Sequence, residues 1–178
     1  LLFAAGYAEI FIWGEAMSAF DAQRVSHEYT QTNDGPPEKV FPLLCPVREA
    51  DWVPGWQYRL IYSESGLAED GCVFTTPNDA DPETLWMVTY YHPAAFTIAF
   101  AWIEPGMIAT QIRIALCPAP AGKTSALIRY IYTGLSPAGN AVLDRYTPGW
   151  FRNKMQSWER AINHFLRNGS LIPASLWE

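Results

Sequence analysis

Basic residues are scarce in this chain of 178: twelve Lys and Arg stand against eighteen Asp and Glu, a net charge of −6. Phosphate backbones are bound by clustered Lys and Arg that displace counterions, and no basic stripe appears, so nucleic acid is not an expected partner. The acidic balance also disfavours attraction to anionic lipid surfaces. Cysteine is equally sparse. Cys45, Cys72 and Cys117 are odd in number, far apart and form no CxxC pair, which fits buried thiols in a reducing, cytoplasmic setting better than a disulfide framework. His27, His92 and His164 show no metal-ligand spacing. A glycine-rich phosphate loop, a Ser/His/Asp order and a paired-carboxylate spacing are all missing, so neither a metal nor a cofactor is expected. No repeat or low-complexity tract interrupts the chain.

Apolar and aromatic residues are abundant instead. Hydrophobic residues make up 49% and aromatic ones 15%, with eight Trp and nine Tyr, while only 17% are charged. A chain of this length and composition reads as one domain with a sizeable core. Aromatics add large buried area, and Tyr and Trp keep a polar handle that suits either a ligand cavity or an ordinary core. Residues 1–17, LLFAAGYAEIFIWGEAM, are apolar but carry Glu9 and Glu15, lack a basic leader region and are short for a membrane span. They read as an extension ahead of a start at Met17, or as a helix or strand packing on a partner.

Along the chain, residues 25–33 alternate β-branched or aromatic with polar side chains, the pattern of a strand. Asp34-Gly35-Pro36-Pro37 turns the chain into a short helix, which Pro42 and Pro46 keep short. A second helical turn is expected over 47–52, stopped by Pro54-Gly55. Six strands follow, over 57–63, 71–76, 84–91, 96–103, 107–117 and 124–133, separated by Gly, Pro, Asn and Asp turns. Close spacing implies an antiparallel meander. The period then changes: Phe151, Met155, Trp158, Ile162, Phe165 and Leu166 recur at steps of three and four, with Arg152, Lys154, Gln156 and Glu159 among the residues filling the other positions. Thr147-Pro148 and Asn168-Gly169 mark this helix's ends. Residues 137–146 read either as a separate helix or as its first part, kinked at Pro148.

This order, together with PPEKVFPLLCPVREADWVPGW (residues 36–56), YIYTGLSPAGN (130–140) and WERAINHFL (158–166), resembles the START-like or SRPBCC superfamily. The resemblance covers residues 24–169. It implies an α+β helix-grip fold: a curved seven-stranded antiparallel sheet wrapped around a long C-terminal helix, with two short helices after the first strand. It also implies a cavity that takes lipids, aromatic compounds or polyketide intermediates, and in some members cyclase, aromatase or dehydratase activity. The expected division is an apolar extension over 1–23, the domain over 24–169 and a tail over 170–178.

Alternation places Ala126, Ile128, Tyr130 and Tyr132 inward, because the opposite set contains Arg129; likewise Ile108, Thr110, Ile112 and Ile114 face away from Gln111 and Arg113. Strands 84–91 and 96–103 are apolar on both faces. Either Trp86, Val88 and Tyr90 or Leu85, Met87, Thr89 and Tyr91 could point in, while Phe96, Ile98, Phe100 and Trp102 form the bulkier set of their strand. A sheet apolar on both faces calls for a second cover, such as a homodimer partner or the N-terminal segment.

Trp52, Trp56, Trp86, Phe100, Trp102, Ile112, Tyr130, Tyr132 and Trp158 are therefore the candidate lining of a site for a small hydrophobic molecule. Filling a solid core is the rival reading, and burial energy does not separate the two, since each aromatic contributes roughly 1.5–3 kcal/mol either way. At the corner made by Pro54-Gly55, Trp52 and Trp56 are either the mouth of a cavity or a staple. For acid–base chemistry the candidates are Glu28, Glu49, Asp51, Arg59, Tyr90, His92 and Tyr132. Cys45 has no neighbouring His and reads as an inert thiol.

Overall fold

A computed structural model describes residues 20–77 and 83–177. Residues 1–19, which carry most of the apolar extension and all of its Met17 start, lie outside the described residues, as does the end of the Pro77-Asn78-Asp79 turn.

Seven strands form one antiparallel sheet: β1 (Arg24–Asn33), β2 (Arg59–Tyr62), β3 (Val73–Thr76), β4 (Thr84–His92), β5 (Thr97–Glu104), β6 (Ile108–Ala119) and β7 (Lys123–Gly134). Their order is β1-β7-β6-β5-β4-β3-β2. Strands β2 to β7 are a meander, which short turns enforce, while β1 closes on β7 from Arg24↔Thr133 to Asn33↔Thr124. The chain must therefore travel from one sheet edge to the other between β1 and β2. That crossover holds helix α1 (Pro37–Val40), a 3₁₀ turn (Phe41–Leu44) and helix α2 (Pro46–Glu49). Each starts with a proline in its first turn, which supplies the φ of a helix start and forbids a longer helix upstream.

After β7 come two separate helices, α3 (Pro137–Leu143) and α4 (Pro148–Asn168), which settles the choice that the sequence left open. Ser136 caps α3 by accepting from the Gly139 amide at 3.0 Å. Thr147 caps α4 by accepting from the Trp150 amide at 3.2 Å. Gly169 ends α4 in the left-handed region at φ 65°, where its amide donates to the Phe165 carbonyl at 2.7 Å.

Helix α4 lies in the sheet with Phe151, Met155, Ala161 and Ile162 buried. Its polar side also holds β1. The Glu159 carboxylate accepts from Tyr29 Oη at 2.8 Å and from the Thr32 amide at 2.9 Å. Asn163 Oδ1 accepts from the Asp34 amide at 2.8 Å, and its Nδ2 donates to the Thr32 carbonyl at 2.9 Å. Edge-strand groups that would otherwise be open to pairing are thus occupied by the helix. One residue further in, Gln31 Nε2 reaches the Met155 carbonyl at 3.1 Å.

Burial follows the alternation expected for β6 and β7: Ile108, Thr110, Ile112 and Ile114 are buried, as are Ala126, Ile128, Tyr130 and Tyr132. In β5 the bulkier set faces in, with Ile98 and Phe100 buried. Strand β4 obeys neither of its two expected parities along its whole length. A register shift between Val88 and Tyr90 lets Trp86 and Val88 face inward at one end, then turns Tyr90 out and packs Tyr91 against Phe41 at 5.5 Å. A bulge inserts one residue and so exchanges the faces beyond it. On the outer face Ile61, Leu85, Met87 and Ile103 remain exposed.

Candidate functional site

Between the inner face of the sheet, α4 and the α2 corner lies a cavity of about 260 Å³. The sheet contributes Phe74, Trp86, Phe100, Ile112, Ile114 and Tyr130; the crossover contributes Leu44, Glu49, Val53 and Trp56; α4 contributes Lys154 and Trp158; and Trp177 enters from the C-terminal segment. The sheet supplies large residues here because facing positions on paired strands align: Trp86 lies opposite Phe74 and Trp102, and Phe100 opposite Ile112. Phe74 and Trp86 stack at 5.8 Å with planes only 7° apart.

Six of the nine residues singled out from sequence come together on this wall: Trp56, Trp86, Phe100, Ile112, Tyr130 and Trp158. The other three stand behind or beside it. Trp52 is fully buried, its Nε1 donating to the Leu43 carbonyl at 2.8 Å and its ring meeting Trp158 edge-on at 5.5 Å. It is therefore the staple of the Pro54-Gly55 corner. Trp56 joins both roles, since its Nε1 donates to the Pro46 carbonyl at 2.8 Å while it lines the cavity. Trp102 packs beside Trp86 at 5.8 Å. Tyr132 stacks on Tyr146 at 4.1 Å, and its buried hydroxyl finds no hydrogen-bond partner among the described residues. Burial, then the neighbouring Tyr146, raises the pKa of Tyr132.

Three ionisable side chains line the cavity: Glu49, Lys154 and Tyr130. Glu49 is 8% exposed, and among the described residues its carboxyl receives no hydrogen bond and no ion pair within 4.0 Å. Burial pushes its pKa up to about 8, opposed by the charge of Lys154. Lys154 sits with Nζ 5.0 Å from the Tyr130 ring centroid and 5.3 Å from that of Trp150. Burial brings its pKa down to about 8, opposed by Glu49. Tyr130 is raised well above its ordinary range by burial, then by Tyr132 and Glu49. A carboxyl and an amine that both titrate near pH 8, in a mostly apolar cavity, can donate and accept protons.

Lys154 is polar by type and is grouped by sequence with the polar side of α4, but it follows Phe151 by three residues and precedes Trp158 by four, and the structure turns it inward onto the cavity. That spacing was the signal for it. Glu49 stood among the acid–base candidates. The others lie elsewhere: Glu28 pairs with Arg129, Asp51 with Arg48, and Arg59 with Glu83 on the surface, while Tyr90 and His92 are exposed at the end of β4. Trp177 had no signal, because it follows the helix in a segment without periodicity. Cys45 is buried, its sulfur accepting from the Ala68 amide at 3.1 Å. Among the described residues no cluster of three His, Cys, Asp or Glu is placed to hold a metal, and no helix is long and apolar enough to cross a membrane.

No protein-family model and no curated protein matches the chain. Solved structures do. The allergen Ara h 8.0201 superposes with a TM-score of 0.58 at 16% identity, over 82% of this chain and 100% of that one. Norcoclaurine synthase from Thalictrum flavum, in complex with dopamine and hydroxybenzaldehyde, gives a TM-score of 0.59 at 13% identity, over 94% and 96% of the two chains. The di-domain ARO/CYC protein BexL of the BE-7585A biosynthetic pathway gives 0.59 at 15% identity, over 80% of this chain and 46% of that one. In strand order, in the two short helices of its crossover and in the long helix held by the sheet, this chain has a helix-grip fold, which it shares with these solved structures.

Proposed function

We propose that the protein binds a small, largely apolar molecule in the cavity between the sheet and α4. The observation that carries this reading is the cavity itself: about 260 Å³ left open among Trp56, Trp86, Phe100, Tyr130 and Trp158, where side chains of this size could have closed on one another. Its lining is that of a ligand site, apolar and aromatic with few polar groups. The volume is somewhat below the roughly 300–1,000 Å³ of sites for drug-sized molecules, which favours a compact ring compound over a long acyl chain. The small aromatic molecules held by the norcoclaurine synthase of the same fold support this size class. Trp52 and Trp102 serve this site by holding Trp158 and Trp86 in place.

Native mass spectrometry of the purified protein, followed by organic extraction, tests the reading. A stoichiometric apolar compound supports it. If none is retained, calorimetric titration with naphthalene derivatives decides, and absence of saturable binding there overturns it.

A second reading is favoured by Glu49 and Lys154: acid–base catalysis of a cyclase or dehydratase kind in the same cavity, with Glu49 moving a proton and Lys154 placing charge beside it. Turnover of a β-hydroxyketone or polyketide-like substrate that is lost in Glu49→Gln identifies it. The exposed Ile61, Leu85, Met87 and Ile103 support a homodimer through the outer sheet face; sedimentation at several concentrations measures this, and a monomer throughout removes it.

A further inference from the structure

We infer that the ligand of this cavity is a compact molecule bearing one carboxylate, seated against Lys154 and Glu49, with its apolar body among the tryptophans. This rests on the proposal that the cavity is a ligand site and specifies what enters it.

The inference starts from what the polar groups lack. A lysine ammonium has three N–H donors and no acceptor. Lys154 places its ammonium over the faces of Tyr130 and Trp150, and among the described residues it has neither a hydrogen bond nor an ion pair within 4.0 Å. Aromatic faces attract a cation but leave its N–H groups without lone pairs. Glu49 is in the opposite position. It is buried without a donor that would stabilise its charged form, so the neutral acid is favoured and presents an O–H. The Tyr130 hydroxyl likewise has no hydrogen-bond partner among the described residues.

The polar lining of the cavity therefore offers an ammonium, a carboxyl O–H and a phenol O–H. All three are donors, with one positive charge and no negative one. A carboxylate is the complementary group: a negative charge with two oxygens and about four lone-pair sites, acceptor only. A cationic amine would meet the Lys154 charge, and a neutral ring compound would leave the ammonium without a charged partner in a mostly apolar cavity. The mostly apolar lining strengthens the pairing, because charge-assisted hydrogen bonds gain as the local dielectric falls.

Titration of the site follows from the same neighbours. The groups around Lys154 are Glu49 from α2, Tyr130 from β7 with Tyr132 beyond it, and the Trp150 and Trp158 rings of α4 itself. The tyrosines stay neutral across the accessible range. Near pH 8 Glu49 and Lys154 titrate as a pair; above it the positive charge is lost and a negative one appears, so carboxylate binding weakens on the alkaline side.

The test is calorimetry with three probes sharing one ring system: 2-naphthoic acid, 2-naphthalenemethanol and 2-naphthylmethylamine. At about pH 7 the acid is expected to bind at least about tenfold more tightly than the alcohol, with the amine weakest. Lys154→Met is expected to remove about tenfold or more of the acid's affinity and leave the alcohol within about twofold. With the unaltered protein, raising the pH to about 9.5 reproduces the loss for the acid alone, which keeps the test decisive if the variant misfolds. Equal binding of acid and alcohol, or preference for the amine, overturns the carboxylate assignment while the binding reading stands. Failure of all three probes overturns both.

Discussion

The indole Nε1 of Trp52 donates a 2.8 Å hydrogen bond to the Leu43 carbonyl, and the same ring backs Trp158 of the cavity wall at 5.5 Å. One side chain thus satisfies the end of the 3₁₀ turn and braces α4 from behind. Trp52→Ala is expected to lower unfolding free energy by about 3–5 kcal/mol, and Trp52→Phe by about 1–3 kcal/mol, since the phenylalanine fills most of the space but leaves the carbonyl without a donor. Guanidinium unfolding measures both. Equal stability of Trp52→Phe and the parent would show that the hydrogen bond adds nothing net.

Glu159 and Asn163 make the helix a partner of β1. Glu159→Ala removes two acceptor contacts from Tyr29 and Thr32, and hydrogen bonds to a charged acceptor contribute about 1.5–3 kcal/mol each where shielded. With Thr32 exposed, a total loss of about 1–3 kcal/mol is expected. Amide exchange should accelerate first at Thr32 and its β1 neighbours; a uniform change across the sheet would refute the local role.

Gly139 is packed so closely on the Met107 carbonyl that an added Cβ would overlap it. Its backbone φ is ordinary, so the constraint is space and not conformation. Gly139→Ala is expected to cost about 1–3 kcal/mol by pushing α3 off the β5–β6 turn. Ala138→Gly, one residue away on the exposed side, is the control and should cost only the usual helix penalty of about 1 kcal/mol.

Stability should depend on pH through the cavity pair. Glu49 has a folded pKa raised to about 8 from 4.5, so the native state holds the extra proton between these values, and stability falls as pH rises through them. Lys154 has a folded pKa lowered to about 8 from 10.5, so the unfolded state binds more protons above 8 and stability recovers towards 10.5. A minimum near pH 8 is expected, with a decline on the order of a few kcal/mol from pH 5. Urea midpoints between pH 5 and 10 check it. Glu49→Gln should flatten the acidic limb, and an unchanged slope in that variant would contradict the assignment.

Filling the cavity should separate binding from folding. Ile112 lines the void, and Ile112→Phe is expected to reduce affinity for naphthalene probes by about tenfold or more, while unfolding free energy changes by less than about 2 kcal/mol. Affinity that is unaffected would place the ligand outside this cavity.

How much of this was legible beforehand depends on the range of the interaction involved. Period-two alternation and turn residues located all seven strands, and the three-and-four stripe with Thr147-Pro148 and Asn168-Gly169 located α4 to within a residue. These patterns lie within short stretches, where backbone geometry alone couples neighbours. The inward faces of β6 and β7 were legible as well, because Arg113 and Arg129 marked the solvent side.

Other features depend on residues far apart in the chain. Strand β4 is apolar on both faces, and only the bulge beside Val88 decided that Trp86 and Tyr91, of opposite parity, both face in. The two roles at the corner, Trp52 as staple and Trp56 as both staple and wall, were set by where the Leu43 and Pro46 carbonyls and α4 came to lie. Lys154, on an apolar stripe by spacing but polar by type, became a cavity group because Tyr130, some two dozen residues earlier, lies beneath it. The sequence by itself determined the elements and their order, since these follow from local backbone preferences. Which aromatics would enclose a void, and which charged groups would share it, was decided only when sheet, crossover and helix packed together, because burial and proton affinity belong to the assembled surroundings of a side chain.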